Sequence, residues 1–79
     1  MDLRHIFATN LRRLRHGSGF SQEELAYQAG VNRSYMSKVE TGRTYVGLEV
    51  IERLAIALEI DPVEFFRKPK RKPTRARAS

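Results

Sequence analysis

The stretch Gln22–Arg43, QEELAYQAGVNRSYMSKVETGR, decides the fold. It holds two short helical patterns hinged at Gly30. Ala26 lies four residues before that glycine, and Met36 and Val39 lie six and nine after it. A small residue, a turn glycine and two apolar anchors at this spacing let two helices cross steeply with little between them. The second helix then keeps one face free, as an element entering a DNA major groove must.

Local signals frame both helices. Ser21 is the expected N-cap of the first, Glu24 completes a capping box, and Phe20 with Leu25 forms a hydrophobic staple. Leu25, Ala26 and Ala29 face inward and Gly30 closes the helix. The next helix starts after Asn32, with Val31 and Met36 as a second staple, and runs to about Thr41 before Gly42 stops it. Met36 and Val39 are its buried anchors, while Arg33, Ser34, Ser37, Lys38 and Thr41 face out.

Outside this pair the chain predicts three more helices, five in all, and no strand. Upstream, Leu3, Phe7, Leu11 and Leu14 form one stripe of a helix from about Leu3 to Arg15, capped by Asp2 and ended by the turn Gly17-Ser18-Gly19. That turn lacks the lysine and spacing of a phosphate-binding P-loop. Downstream of the loop Arg43–Gly47, a helix takes Leu48 to Leu58, with Leu48, Ile51, Leu54, Ala55 and Leu58 as its core stripe. A short last helix has Asp61 as cap, Pro62 at its first position, Glu64 at the capping-box position, and Phe65 and Phe66 at its end.

The chain has 79 residues and a net charge of +6. That length suits one small domain. The charge is unevenly placed. Residues 67–79 carry Arg67, Lys68, Lys70, Arg71, Lys72, Arg75 and Arg77 without an acid, leaving eight bases against nine acids in residues 1–66. The expected organisation is therefore a folded domain, 1–66, and a basic tail, 67–79, which carries Pro69 and Pro73 and should be disordered on its own. Within the domain, Arg12, Arg13, Arg15, Arg33, Lys38 and Arg43 come early. Glu49, Glu52, Glu59, Asp61 and Glu64 come late. One pole suits phosphate and the other does not.

Several functions are disfavoured. With no cysteine and two histidines, His5 and His16, there is no metal site to expect, and no cofactor motif is visible. No nucleophile–base pair or paired carboxylate site points to an enzyme. No apolar run approaches the roughly 20 residues of a membrane span, and MDLRHIF lacks a signal-peptide core. The default expectation is a soluble, cytoplasmic protein.

The segments LRRLR, FSQEELA, AGVNRSYMSKVETGR and EIDPVEFF, in this order, resemble the lambda-repressor-like helix-turn-helix domains, also called the XRE or Cro/C1 type. The resemblance covers about Leu11 to Phe66. It departs from the pattern at Glu52, where the family more often has an apolar residue, and at Val50 and Ile56, where it is often polar. Among small members, AYQAGVNRSYMSKVE is most like restriction-modification controller proteins. The resemblance implies an all-α, five-helix fold and a transcriptional regulator that binds double-stranded DNA sequence-specifically. It further implies that Gln22 touches a phosphate and braces the recognition helix. Arg33, Ser34 and Lys38 would meet base edges, with Ser37 as a further reader. Thr41, Arg43 and Thr44 would hold the backbone, and Arg15 with Glu40 would tie the first helix to the third.

Chemistry is compatible with these roles. Arginine gives a bidentate pair to guanine, and lysine donates to the same edge. Other readings stay open: Arg12 and Arg13 are phosphate contacts or solvated charges, and Tyr35 packs on the sugar-phosphate chain or shields the third helix. One recognition helix reads few base pairs, so a homodimer on a near-palindromic operator is expected. Val46, Val50, Ile56, Ala57, Val63 and one of Phe65 or Phe66 are candidates for its interface. An RNA polymerase contact, if transcription is activated, would fall on Glu49, Glu52 or Glu59. The alternative is an antitoxin-like protein-interaction module with coupled DNA binding; the basic tail, almost without apolar side chains, argues against it.

Overall fold

The carboxylate of Asp2 accepts the Arg4 amide and starts α1, Leu3–Gly17. The computed structural model describes residues 2–68. It continues with α2 (Gln22–Ala29), α3 (Arg33–Glu40), α4 (Leu48–Leu58) and a 3-10 turn, Pro62–Phe66. The caps form as the local sequence dictates. The Ser21 hydroxyl accepts the Glu24 amide, and Glu24 accepts the Ser21 amide. Those hydrogen bonds, the Ser21 amide foremost, hold the Glu24 carboxyl below its ordinary pKa. Asn32 caps α3 by accepting from the Tyr35 amide.

All four helices end in the same way. A residue with positive φ follows the last turn: Gly19, Gly30, Gly42 and, unusually, Glu59. The next amide then reaches back five residues, Phe20 to Arg15, Val31 to Ala26, Arg43 to Lys38 and Ile60 to Ala55. This pattern satisfies carbonyls that the helix leaves free. It also turns Phe20, Val31 and Ile60 onto the core.

Four α-helices, not five, make up the described residues. The last element is too short for the expected helix: over five residues it closes with the Glu64 amide on the Asp61 carbonyl, three residues back. Pro62 has no amide to contribute. The first helix is longer than expected, passing through Gly17, because the residue that must turn left-handed is Gly19.

The core is Phe7, Leu11, Leu25, Ala26, Ala29, Met36, Val39, Ile51, Leu54, Ala55, Leu58 and Phe65. Three residues of the expected stripes are outside it: Leu14 is half-buried against it, and two are exposed. Leu48 is 83% exposed and Leu3 is 53% exposed. Each is the first residue of its helix, where the chain is still entering the packed layer. Phe65, wholly buried, lies with its ring centroid 4.8 Å from that of Phe7. The 3-10 turn thus packs Phe65 onto the side of α1 at Phe7 and Asn10 instead of offering it to a partner.

Asn10 joins the same two elements. It is buried, and its side-chain amide donates to the carbonyls of Phe65 at 2.8 Å and Arg67 at 2.7 Å. Its oxygen accepts from Arg13 Nη2 at 3.1 Å. A buried amide needs all of these partners. Its hold on Arg67 brings that residue, expected in the tail, into the folded body. Arg67 in turn pairs with Glu64 at 2.8 Å, which holds the Glu64 carboxyl below its ordinary pKa. The expectations for residues 69–79 lie outside the described residues.

Candidate nucleic-acid interface

Glu40, the last residue of α3, is buried and collects side chains from two other helices. Arg15 of α1 meets it with both prongs of its guanidinium, Nε to Oε2 at 2.5 Å and Nη2 to Oε1 at 3.1 Å. Gln22 of α2 donates Nε2 to Oε1 at 3.1 Å. Arg15 also donates Nη1 to the Phe20 carbonyl at 2.9 Å, reaching the turn between α1 and α2. Arg12 Nη1 donates to the Glu40 backbone carbonyl, where a cation also suits the negative end of the helix dipole. A bidentate, hydrogen-bonded pair of this kind sets the angle of α3 against α1 and α2.

With Met36, Val39 and Glu40 buried, the opposite face of α3 is exposed. It carries Arg33, Ser34, Ser37 and Lys38, all exposed. Their spacing by three and four residues places them on neighbouring turns of one surface. Thr41 follows, also exposed, with its hydroxyl donating to the Ser37 carbonyl at 2.9 Å. Arg43 is exposed. Thr44 is half-buried and donates to the Tyr45 carbonyl at 3.3 Å.

The remaining sequence-derived residues divide. Gln22 is half-buried with one amide hydrogen on Glu40, so it braces α3 from the first turn of α2. Arg12 is half-buried and already engaged at the end of α3, whereas Arg13 turns toward Asn10. Tyr35 is half-buried against the core. His5 and His16 are exposed.

Of the residues expected at a two-fold interface, Val46, Val50 and Ala57 are half-buried against the core. Ile56 is 71% exposed, and Val63 and Phe66 are also exposed. Phe65 must be removed from that set: it has no accessible surface, because its ring fills the gap beside Phe7.

Three contacts escaped the sequence reading. Asn10 sits between the apolar positions Phe7 and Leu14 of α1, and a polar residue on a core stripe is the signal that could have found it. The Arg4 guanidinium lies 4.7 Å from the Tyr45 ring centroid, joining the start of α1 to the loop after α3. Glu23 stands beside Arg33, with Oε1 3.9 Å from Nη1. Among the described residues no group of three metal-ligating side chains comes together, and no helix is long and apolar enough to cross a membrane.

The fold is shared with known proteins. The family model of the helix-turn-helix domain matches residues 6–65. A hypothetical transcription factor of Neisseria meningitidis serogroup B is 42% identical over 69 residues, or 87% of this chain. The chain spans 65% of that relative's length. Control protein C.BamHI of Bacillus amyloliquefaciens is 36% identical over 66 residues, 82% of each chain. The solved restriction-modification controller protein C.AhdI of Aeromonas hydrophila superposes with a TM-score of 0.77 at 46% identity, covering 80% of this chain and 96% of that one. The chain therefore belongs to the helix-turn-helix domain family, within its lambda-repressor-like, XRE-type group of DNA-binding transcription regulators.

Proposed function

We propose that this chain regulates transcription by binding a near-palindromic operator as a homodimer, with α3 of each copy in a major groove. The observation that carries the reading is the pairing of a polar, exposed face on α3, bearing Arg33, Ser34, Ser37 and Lys38, with a buried face fixed by Met36, Val39 and the Arg15–Glu40 pair. Arg33 and Lys38 supply donors for guanine edges, and the two serines suit either partner. Gln22, Thr41, Arg43 and Thr44 lie at the ends of α2 and α3, where contacts to phosphate set register.

A dimer is supported by apolar side chains left uncovered in α4 and the turn after it, namely Ile56, Val63 and Phe66. Two copies related by a two-fold read half-sites about 34 Å apart, one helical turn. The likeness to control protein C.BamHI and to the restriction-modification controller protein C.AhdI supports a regulator of this kind.

Selection of bound sequences from random duplex DNA tests the whole reading. The expected result is a two-fold symmetric motif with half-sites one turn apart. A pool without enrichment overturns it, and an enriched single half-site overturns the dimer alone.

A further inference from the structure

We propose that Glu23 is a positioning residue for base reading: its carboxylate keeps the Arg33 guanidinium off the phosphate chain and directs it to the groove floor. This rests on the DNA-binding reading above and extends it to a residue that would not itself touch a base.

Arg33 is the first residue of α3, and the first turn of that helix contains no acid. A cation beside a helix N-terminus is poorly placed, because the dipole there is positive. Glu23 comes from the first turn of α2 and supplies the missing negative charge across the turn, Oε1 to Nη1 at 3.9 Å. Glu23 is itself oddly sited. It follows Gln22 at the end of α2 assigned to phosphate, where a carboxylate is repelled by a polyanion. Its neighbour Glu24 is explained by the capping box. Glu23 makes no such bond, and its polar partner among the described residues is Arg33.

Both side chains are mostly exposed, 65% for Arg33 and 76% for Glu23. Exposed pairs add little to a fold, so stability is a weak reason for this one. Recognition is a better one. An arginine at the rim of a groove has two targets, the nearest phosphate and a guanine edge. The phosphate gives affinity on any sequence, whereas the guanine gives discrimination. A carboxylate beside Nη1 repels the phosphate but not a neutral base. The rest of the guanidinium fork stays free for O6 and N7. Glu23 thereby trades affinity on random DNA for preference on the operator, a repulsive element of specificity.

The test compares the full chain with Glu23→Gln and Glu24→Gln, measuring binding to the selected operator and to random duplex at several salt concentrations. Both variants lose one negative charge from the same helix end, and glutamine at position 24 can still cap. Glu24→Gln should tighten both complexes by the same factor. Glu23→Gln should tighten random binding more, lowering the preference for operator by about two- to fivefold, the size of an exposed ion pair. Adding Arg33→Ala should abolish that difference. Equal changes in preference for the two glutamine variants overturn the proposal, as does an effect of Glu23→Gln that survives Arg33→Ala. A parent protein with no sequence preference at all overturns the DNA-reading assignment beneath it.

Discussion

Arg15 and Glu40, 25 residues apart in sequence, meet through two hydrogen bonds in a site almost closed to water, with 11% and 3% of their side-chain surfaces exposed. The pair joins the helix before the turn to the last residue of the recognition helix. Removing one partner leaves a buried charge alone. Glu40→Ala should destabilise the domain by about 3–5 kcal/mol, far above the value of about 0–1 kcal/mol for an exposed pair. Urea denaturation followed by helical circular dichroism checks this; Glu49→Ala, which breaks the exposed Glu49–Arg53 pair, is the comparison. Equal losses would show that burial adds nothing.

Glu59 is the one non-glycine residue with positive φ among the described residues, at 58°. A side chain there crowds the backbone. Glu59→Gly should raise stability by about 1 kcal/mol, despite the greater freedom of glycine in the unfolded chain. Thermal melts decide it, and an unchanged or lower midpoint would mean that the conformation is unstrained.

Base reading assigns Arg33 and Lys38 to operator edges. Arg33→Ala or Lys38→Ala should weaken operator binding by roughly 1–3 kcal/mol and relax preference at one base pair in each half-site. Repeating the sequence selection with each variant reports both effects. A variant that keeps the parent's motif and affinity removes that residue from the readers.

The dimer reading predicts that Ile56→Lys, on an exposed site of α4, leaves the fold intact and shifts the protein toward monomer. Sedimentation equilibrium with and without operator measures the shift. Parent protein that remains monomeric in both conditions would rule out the two-fold complex.

The basic segment is best tested by ending the chain at Lys68, because Asn10 holds the Arg67 carbonyl and an earlier cut would disturb the 3-10 turn. The truncation removes five bases: Lys70, Arg71, Lys72, Arg75 and Arg77. Affinity for operator and random DNA should fall by similar factors. The salt dependence should become shallower, by about 0.9 in the logarithmic slope for each phosphate no longer neutralised. An unchanged slope assigns the segment no part in binding.

Much of the architecture was written locally. The capping box at Ser21 and Glu24, the Asn32 cap, the bounds of α4 and the turn at Gly30 all depend on residues within a few positions of one another. Caps, turn glycines and periodicity therefore located α2, α3 and α4 and the polar face of α3. Where the sequence reading failed, the deciding contacts were distant. Leu48 obeys the helical repeat of α4, yet it lies where the helix enters the packed layer. Phe65 and Phe66 are identical and adjacent, and both rings meet Phe7, at 4.8 and 5.7 Å between centroids, yet only Phe65 is closed off from solvent. Asn10 reads as an ordinary helix residue until two carbonyls from the other end of the chain come to meet it. Glu23 reads as a solvated charge until the turn at Gly30 brings Arg33 beside it. Short-range hydrogen bonds and the helical repeat are properties of neighbouring residues, so the sequence alone determined α2, α3 and α4 and the polar face of α3. Which apolar residues are buried, and which charges face one another, depends on how separate helices cross. Only the tertiary structure decided those.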